Sequence, residues 1–249
     1  MAIYMQRMFL FLLMNLLVGS CAYLLAFRYF KFKNALDSWI FCFLLYLAQI
    51  VSTELMLGIE ARLFLLNLLI LNSAILFAVW MITRKRQSNI FEHDNFLKII
   101  TADRSLLFVL SVLLGFALVE IGINLVNPPF GWDSLNYHFT FPVEWLKNGN
   151  LNIPITINDD PSPTYYPING SLFFLWLMLP FRSVFFADLG QAPFFFLSLL
   201  LAFSIARKMG VSKELSYLAA CLFVLIPNFF KQLQIGYVDL MVAALFMGA

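Results

Sequence analysis

The chain has 249 residues, of which 62% are hydrophobic and only 12% are charged, and its mean hydropathy is +0.85. Soluble domains are typically about 45–50% apolar and about 25% charged, so this composition excludes an ordinary soluble domain and a disordered chain. The 16 Lys and Arg against 14 Asp and Glu give a net charge of +2, too small for a nucleic-acid-binding surface. We therefore expect an all-α, multi-pass transmembrane helical bundle with membrane lipid as its main solvent.

Six apolar runs are long enough, or nearly long enough, to cross about 30 Å of hydrocarbon as helices. A seventh apolar run begins at Leu240 and reaches the last residue, Ala249, after ten residues, so we expect the sequence to be the N-terminal portion of a longer protein. The six predicted spans lie at roughly 8–27, 39–58, 63–81, 105–126, 189–206 and 215–230.

The Lys and Arg residues predict the orientation of these spans. Three connections, at 28–38, 82–104 and 207–214, hold 11 of the 16 basic residues. The positive-inside rule places these connections in the cytoplasm and the remaining ones on the outer face. This alternation requires that the twelve residues 170–181 do not cross the membrane, so we expect an interfacial or re-entrant helix there.

The chain divides into two membrane regions on this reasoning. Residues 1–104 are predicted to form about three spans and a cytoplasmic loop, and residues 105–249 form the second region. The first outer loop, at about 127–188, is a small polar segment in an otherwise apolar chain. It is predicted to carry interfacial helices, the first of which runs from Ser134 to a terminating Gly149. Because function in membrane proteins often lies where polar segments meet lipid, we expect the functional residues here.

Four short motifs of the second region are Gly131-Trp132-Asp133-Ser134-Leu135-Asn136-Tyr137-His138, Trp145-Leu146-Lys147-Asn148-Gly149, Tyr165-Tyr166-Pro167 and Gly236-Tyr237-Val238-Asp239-Leu240. This pattern resembles the GT-C superfamily of integral-membrane glycosyltransferases, which includes protein O-mannosyltransferases and lipid A aminoarabinose transferases. The resemblance covers roughly 105–249. It implies that Asp133 is the essential carboxylate of the first outer loop and that Asp239 takes the second acidic position.

The resemblance implies transfer of a sugar from a polyprenyl-phosphate donor to a hydroxyl of a lipid, glycan or protein acceptor. The reaction would take place at the outer face of a membrane, which we expect to be the bacterial cytoplasmic membrane. Asp133 would act as the general base that takes the proton of the attacking hydroxyl. The leaving phosphate needs cationic or hydrogen-bonding groups, which the outer segments can supply. The predicted substrate-binding residues are Tyr137, His138, Tyr166, Arg182 and Lys231.

Acidic residues are also predicted to lie toward one face of the membrane. Glu54 and Glu120 fall in the outward halves of their predicted spans, on the side of Asp133 and Asp239. Four acids on one face predict an outward-opening polar cavity in which Mg²⁺ or Mn²⁺ could bind, although nothing in the sequence requires a metal. We predict no dedicated zinc site, because the chain has no CxxC motif and only two histidines.

Other interpretations of these residues remain open. Asp133 and Asp239 could serve only as helix caps. His138 could be an interfacial side chain, and Lys231 could simply snorkel at a helix end. The alternative function is a transporter or permease, which predicts ionisable groups near the bilayer midplane and broken helices in paired halves. A third interpretation is a non-catalytic membrane scaffold, which predicts that the two aspartates lie far apart.

Overall fold

The computed structural model describes residues 2–88, 104–156 and 160–249, which form ten α-helices and no β-strand. Residues 89–103 of the predicted cytoplasmic loop, with Lys98 among them, lie outside the described residues. The helices are α1 (Ala2–Leu24), α2 (Ala35–Ile59), α3 (Leu65–Thr83), α4 (Arg104–Val126), α5 (Thr140–Asn148), α6 (Asn169–Met178), α7 (Ala192–Lys208), α8 (Lys213–Val224), α9 (Pro227–Lys231) and α10 (Asp239–Gly248).

Five helical segments of the described chain are long and apolar enough to cross a membrane, which confirms the all-α, multi-pass fold. They correspond to α1 with its π-helical extension Leu25–Phe30, α2, α3, α4, and α7 with the short turn before it. Most of the residues in these segments are not buried within the bundle, since no more than 44% of the apolar 18-residue stretch in any of them is buried. Helices that are apolar on all sides belong in lipid.

The predicted span at 215–230 is wrong as a single straight helix. It is instead a pair of helices, α8 and α9, that meet at a bend of 62°. The break follows from Pro227, which has no N–H to donate and forces the preceding residue out of the helical region. Ile226 accordingly has a ψ angle of 125°.

Contacts between the connections define two ends of the bundle. At one end Lys208 Nζ lies 3.3 Å from Asp37 Oδ1, which joins two connections that are rich in Lys and Arg. At the other end, the Leu63 N–H donates to the Gly149 carbonyl at 2.8 Å and joins the α2–α3 connection to the segment 127–188. We call this second end the loop end. The grouping matches the alternation that the basic residues predict.

The segment 127–188 folds back into the bundle through α5 and α6. Helix α6 has ten residues, about 15 Å of length, so it is too short to cross the membrane. Its central residues, from Leu172 to Trp176, are almost completely buried. Helix α5 packs against it with Trp145 buried, and the Trp145 indole N–H donates to the Asn152 carbonyl at 3.0 Å. Helices α5 and α6 therefore support the part of the loop end that carries the candidate site residues.

Candidate active site

The first motif forms a wide turn rather than the start of a regular helix. Residues Ser134–His138 are π-helical, with the Phe139 N–H donating to the Ser134 carbonyl at 2.9 Å. The regular helix α5 begins only at Thr140, so the predicted helix from Ser134 to Asn148 is interrupted at Phe139. Single π-turns are uncommon and occur often at functional sites, because they redirect side chains that a regular helix would place elsewhere.

Neither predicted catalytic carboxylate caps a helix. Asp133 has helical backbone angles, φ −69° and ψ −32°, and its side chain makes no capping hydrogen bond. Asp239 is the first residue of α10, after Val238 in the capping position, and its side chain is exposed. The capping interpretation of both residues is therefore wrong, although an acid in the first turn of α10 still interacts favourably with the helix dipole.

Tyr137 joins the two predicted carboxylates electrostatically. Burial raises the pKa of Tyr137 above its ordinary value of 10.0, and the charge of Asp133 and a side-chain hydrogen bond with it raise that pKa further. Tyr166 and Asp239 act on the same hydroxyl in the same direction. A nearby negative charge disfavours the phenolate, so each of these groups acts on Tyr137 in the same direction as burial. At neutral pH the phenol is protonated and donates toward Asp133.

Two glycines allow the first and last motifs to pack directly on each other. Gly131 has φ +98°, a conformation that other residues rarely adopt, and a Cβ there would come within 3.1 Å of the Tyr237 ring. A Cβ at Gly236 would overlap the Phe139 ring. The segment that leads into α10 therefore lies across the π-turn, and this packing brings Asp239 toward Tyr137.

The third motif completes the group with Tyr166. Its ring lies edge-on to the Tyr137 ring, with 5.4 Å between the ring centroids. Nearly half of the Tyr166 side chain, 47%, is exposed, and Asp133 and Tyr137 are partly exposed. We call Asp133, Tyr137, Tyr166 and Asp239 the carboxylate–tyrosine cluster. The cluster opens to the surroundings, so a ligand can reach its hydroxyl and carboxylate groups.

His138 lies behind this cluster in a buried and neutral state. Its Nδ1 lies 3.1 Å from Ser171 Oγ, and its ring packs near Phe174. Burial lowers the pKa of His138 from 6.5 to about 4, because the charged imidazolium is poorly solvated there. At neutral pH His138 therefore carries no positive charge, and its predicted contact with a substrate stays a prediction. As a neutral imidazole it can still donate or accept a hydrogen bond.

Buried polar atoms without a partner also mark the π-turn. Ser134 Oγ, Asn136 Oδ1 and His138 Nε2 have no hydrogen-bond partner among the described residues. Buried unpaired polar atoms are few in native proteins, and several of them on a five-residue turn require an explanation. Ser134 and Asn136, together with Ser171, belong to the site, and sequence reasoning missed their roles. The sequence indicated these residues only by their positions: Ser134 and Asn136 lie in the first motif, and Ser171 lies near the start of an apolar helix.

A buried group of amides fixes the segment that carries Asp239. The Asn124 side chain in α4 donates to the carbonyls of Asp188 and Leu233, and the Gln191 side chain donates to the carbonyl of Tyr237. These bonds tie α4 and the start of α7 to the segment before α10. The sequence did contain a signal for these amides, because Asn124 and Gln191 are polar residues within apolar runs. Such residues are costly in lipid unless they form hydrogen bonds.

Arg182 and Lys231 are not part of the carboxylate–tyrosine cluster. Ser171, the partner of His138, is near the start of α6, whereas Arg182 follows its end, about 15 Å away along the helix. Lys231 is exposed at the end of α9, and it makes no hydrogen bond or ion pair within the described parts of the chain. Their predicted contacts with a substrate phosphate remain predictions.

The four predicted acids do not share one cavity. Glu54 is fully buried in α2, and neither of its carboxylate oxygens has a partner in the described ranges. Glu120 accepts a hydrogen bond from Gln234. The two aspartates of the cluster offer the oxygen ligands that Mg²⁺ and Mn²⁺ prefer, but the described residues hold no group of three or more His, Cys, Asp or Glu side chains.

Comparisons with protein-family models, with curated proteins and with solved structures find no match for the chain. The geometry of the loop end is therefore the basis for assigning a function. It combines an accessible carboxylate pair, two tyrosines and a helical bundle with lipid-facing sides.

Proposed function

We propose that the chain is a membrane glycosyltransferase of the GT-C type, or part of one. It would transfer a sugar from a polyprenyl-phosphate donor to a hydroxyl acceptor on a lipid, glycan or protein. The observation that carries the proposal is that the segment leading into Asp239 packs directly on the motif that holds Asp133, with Gly236 against the Phe139 ring and Gly131 against the Tyr237 ring. Groups that share a substrate must converge, and these two come from motifs about 100 residues apart in the sequence.

In the proposed reaction Asp133 is the general base. The acceptor oxygen forms a bond to the anomeric carbon of the sugar while the bond from that carbon to the donor phosphate oxygen breaks. The electron pair of the broken bond leaves with the polyprenyl phosphate, and the acceptor proton passes to the Asp133 carboxylate. Tyr137 remains protonated and orients Asp133 through their hydrogen bond. Asp239 and Tyr166 border the same space and are placed to contact the sugar.

The position of the cluster at the end of the bundle suits a lipid-linked donor. The polyprenyl tail can remain in the bilayer beside the spans while the sugar phosphate reaches the loop end. The neutral His138 and the unpaired Ser134 and Asn136 provide hydrogen-bonding groups under the π-turn. We place the reaction on the outer face of a bacterial cytoplasmic membrane, because the basic connections lie at the opposite end of the bundle.

The test is transfer by the purified chain in detergent with a panel of radiolabelled polyprenyl-phosphate sugars and lipid acceptors. We expect transfer from at least one donor, and we expect Asp133→Asn and Asp239→Asn to reduce it. The matched control is Asp160→Asn, which changes an exposed acid of the same loop whose carboxylate accepts from Ser162. Failure of the wild-type chain to transfer any sugar or to bind polyprenyl phosphate would oppose the proposal.

A transporter is the second candidate, and two observations favour it. Glu54 is a fully buried, unpaired acid within a span, and the pair α8–α9 is a broken helix. Both features occur in transporters. The two functions differ in the residue on which activity depends. A transporter should take up solute into liposomes and lose uptake in Glu54→Gln, whereas the glycosyltransferase should lose sugar transfer in Asp133→Asn.

A further inference from the structure

A cleft of about 310 Å³ lies at the loop end of the bundle, and its wall includes Leu146 of α5. It is bordered by the start of α1, the α2–α3 connection and the segment after α6. A neighbouring hollow of about 260 Å³ shares two lining residues with it, Leu146 and Arg182. The walls of the cleft are mainly apolar, and its polar side chains are Gln6, Arg7 and Arg182.

Both arginines line the same cleft. Arg7 Nη1 donates to the Phe181 carbonyl at 2.6 Å, so its guanidinium sits beside the backbone that leads into Arg182. Neither arginine forms an ion pair with any acid in the described ranges, where the three pairs involve Arg62, Lys147 and Lys208. Two positive charges without an acidic partner in one cleft favour an anion as its ligand.

The backbone at Arg182, a residue that lines the cleft, is in a conformation that side chains rarely adopt. Its φ is +50°, in the left-handed region that favours glycine. Strain of this kind persists where the surroundings impose it and is frequent at binding sites. The Arg182 side chain is exposed and lines both the cleft and its neighbouring hollow. It is therefore available to a ligand.

The apolar walls indicate that the ligand is a lipid. Ile3 on α1 is 63% exposed and Phe64 before α3 is 48% exposed, although both line the cleft. They belong to or adjoin spans whose apolar sides face the bilayer, so the cleft opens toward lipid at headgroup depth. A ligand that fits must combine a compact anion with a hydrocarbon chain.

We propose that this cleft binds an anionic membrane phospholipid. Arg7 and Arg182 contact the headgroup phosphate, Gln6 donates to its oxygens, and an acyl chain lies along Leu10 and Phe64. Basic pockets between membrane helices recognise lipid headgroups in this way. The site is separate from the proposed sugar transfer, because none of the four residues of the carboxylate–tyrosine cluster lines the cleft or its neighbouring hollow.

The test measures lipid binding to the full chain in detergent by native mass spectrometry. Phosphatidylglycerol, phosphatidylcholine and inorganic phosphate are compared as ligands. We expect phosphatidylglycerol to bind most tightly, and Arg7→Gln and Arg182→Gln each to weaken it about fivefold, from about 1 kcal/mol per basic residue. Arg62→Gln is the matched control, because Arg62 is an exposed arginine at the same end that lies 3.9 Å from Glu60. It should leave the affinity unchanged.

Several outcomes would overturn the proposal. Equal affinity for phosphatidylglycerol and phosphatidylcholine would show that the net negative charge is not recognised. Equal affinity for inorganic phosphate would show a soluble-anion site instead of a lipid site. An equal effect of Arg62→Gln would show a diffuse charge effect. If Arg7→Gln fails to fold because it loses the Phe181 contact, Arg182→Gln decides, since the Arg182 side chain makes no hydrogen bond in the described chain.

Discussion

The buried, neutral state of His138 predicts a specific pH dependence of stability. The pKa of His138 is about 4 in the folded chain and 6.5 in a solvated chain. Between these values the unfolded chain binds a proton that the folded chain does not, so stability falls as the pH decreases from 6.5 toward 4. A difference of this size corresponds to about 3 kcal/mol at full protonation of the unfolded state.

The perturbation that isolates this effect is His138→Asn. The amide can keep a hydrogen bond to Ser171 but cannot titrate, so the variant loses the contribution of His138 to the pH dependence. The free energy of unfolding is measured by SDS titration from detergent micelles, with tryptophan fluorescence, at pH 7.5 and pH 4.5. Because His93 and all carboxylates are present in both proteins, their titration cancels in the comparison.

We expect the wild-type chain to lose about 2–3 kcal/mol more than His138→Asn between these two pH values. A difference in stability between the two proteins at pH 7.5 does not affect the comparison, which uses only the change between the two pH values. Parallel curves for the two proteins would refute the reasoning, since they would mean that His138 has the same pKa in both states. A steeper loss in the variant would refute it as well.

Three further predictions concern packing and topology. Gly236→Ala should destabilise the chain by about 1–3 kcal/mol, because the added Cβ overlaps the buried Phe139 ring. Gly122→Ala is the control and should not destabilise it, since a Cβ there has no neighbour within 4 Å. Thermal unfolding in detergent measures the stability of both variants. Asn124→Leu should cost about 2–4 kcal/mol in the same measurement, since it leaves two buried carbonyls unpaired. Cysteines at Ser162 and Met209, both exposed, should be labelled by a membrane-impermeant reagent from opposite sides in oriented vesicles. The three native cysteines are buried and give little background, and labelling of both positions from one side would contradict the alternation.

The spans and the two ends of the bundle could be predicted because they depend on local properties. Apolar runs of sufficient length become helices in lipid, and the distribution of Lys and Arg separates the connections into two groups. Gly149 ends α5 as expected, with φ +67°. The break in the sixth span could also have been predicted, because Pro227 interrupts a helix. A search for apolar runs alone does not detect it, since proline does not end such a run.

The chemistry of the site depends on contacts that a sequence pattern does not contain. The neutral state of His138 results from burial and its proximity to Ser171 and Phe174, which come from another helix. The segment before Asp239 packs across the π-turn that holds Tyr137, although the two lie about 100 residues apart in the sequence. A composition or a motif can name the two acids, but only the packing shows that the segments carrying them lie against each other.

The central claim is that Asp133 takes a proton in a reaction at the loop end, and the turnover of Asp133→Asn tests it most directly. With the donor that the wild-type chain uses, kcat should fall by about 10²–10⁴-fold while KM for the donor changes little. Tyr137→Phe, which removes the orienting hydroxyl, should fall between this variant and the wild type, and Asp160→Asn should match the wild type. A wild-type kcat in Asp133→Asn would contradict the account.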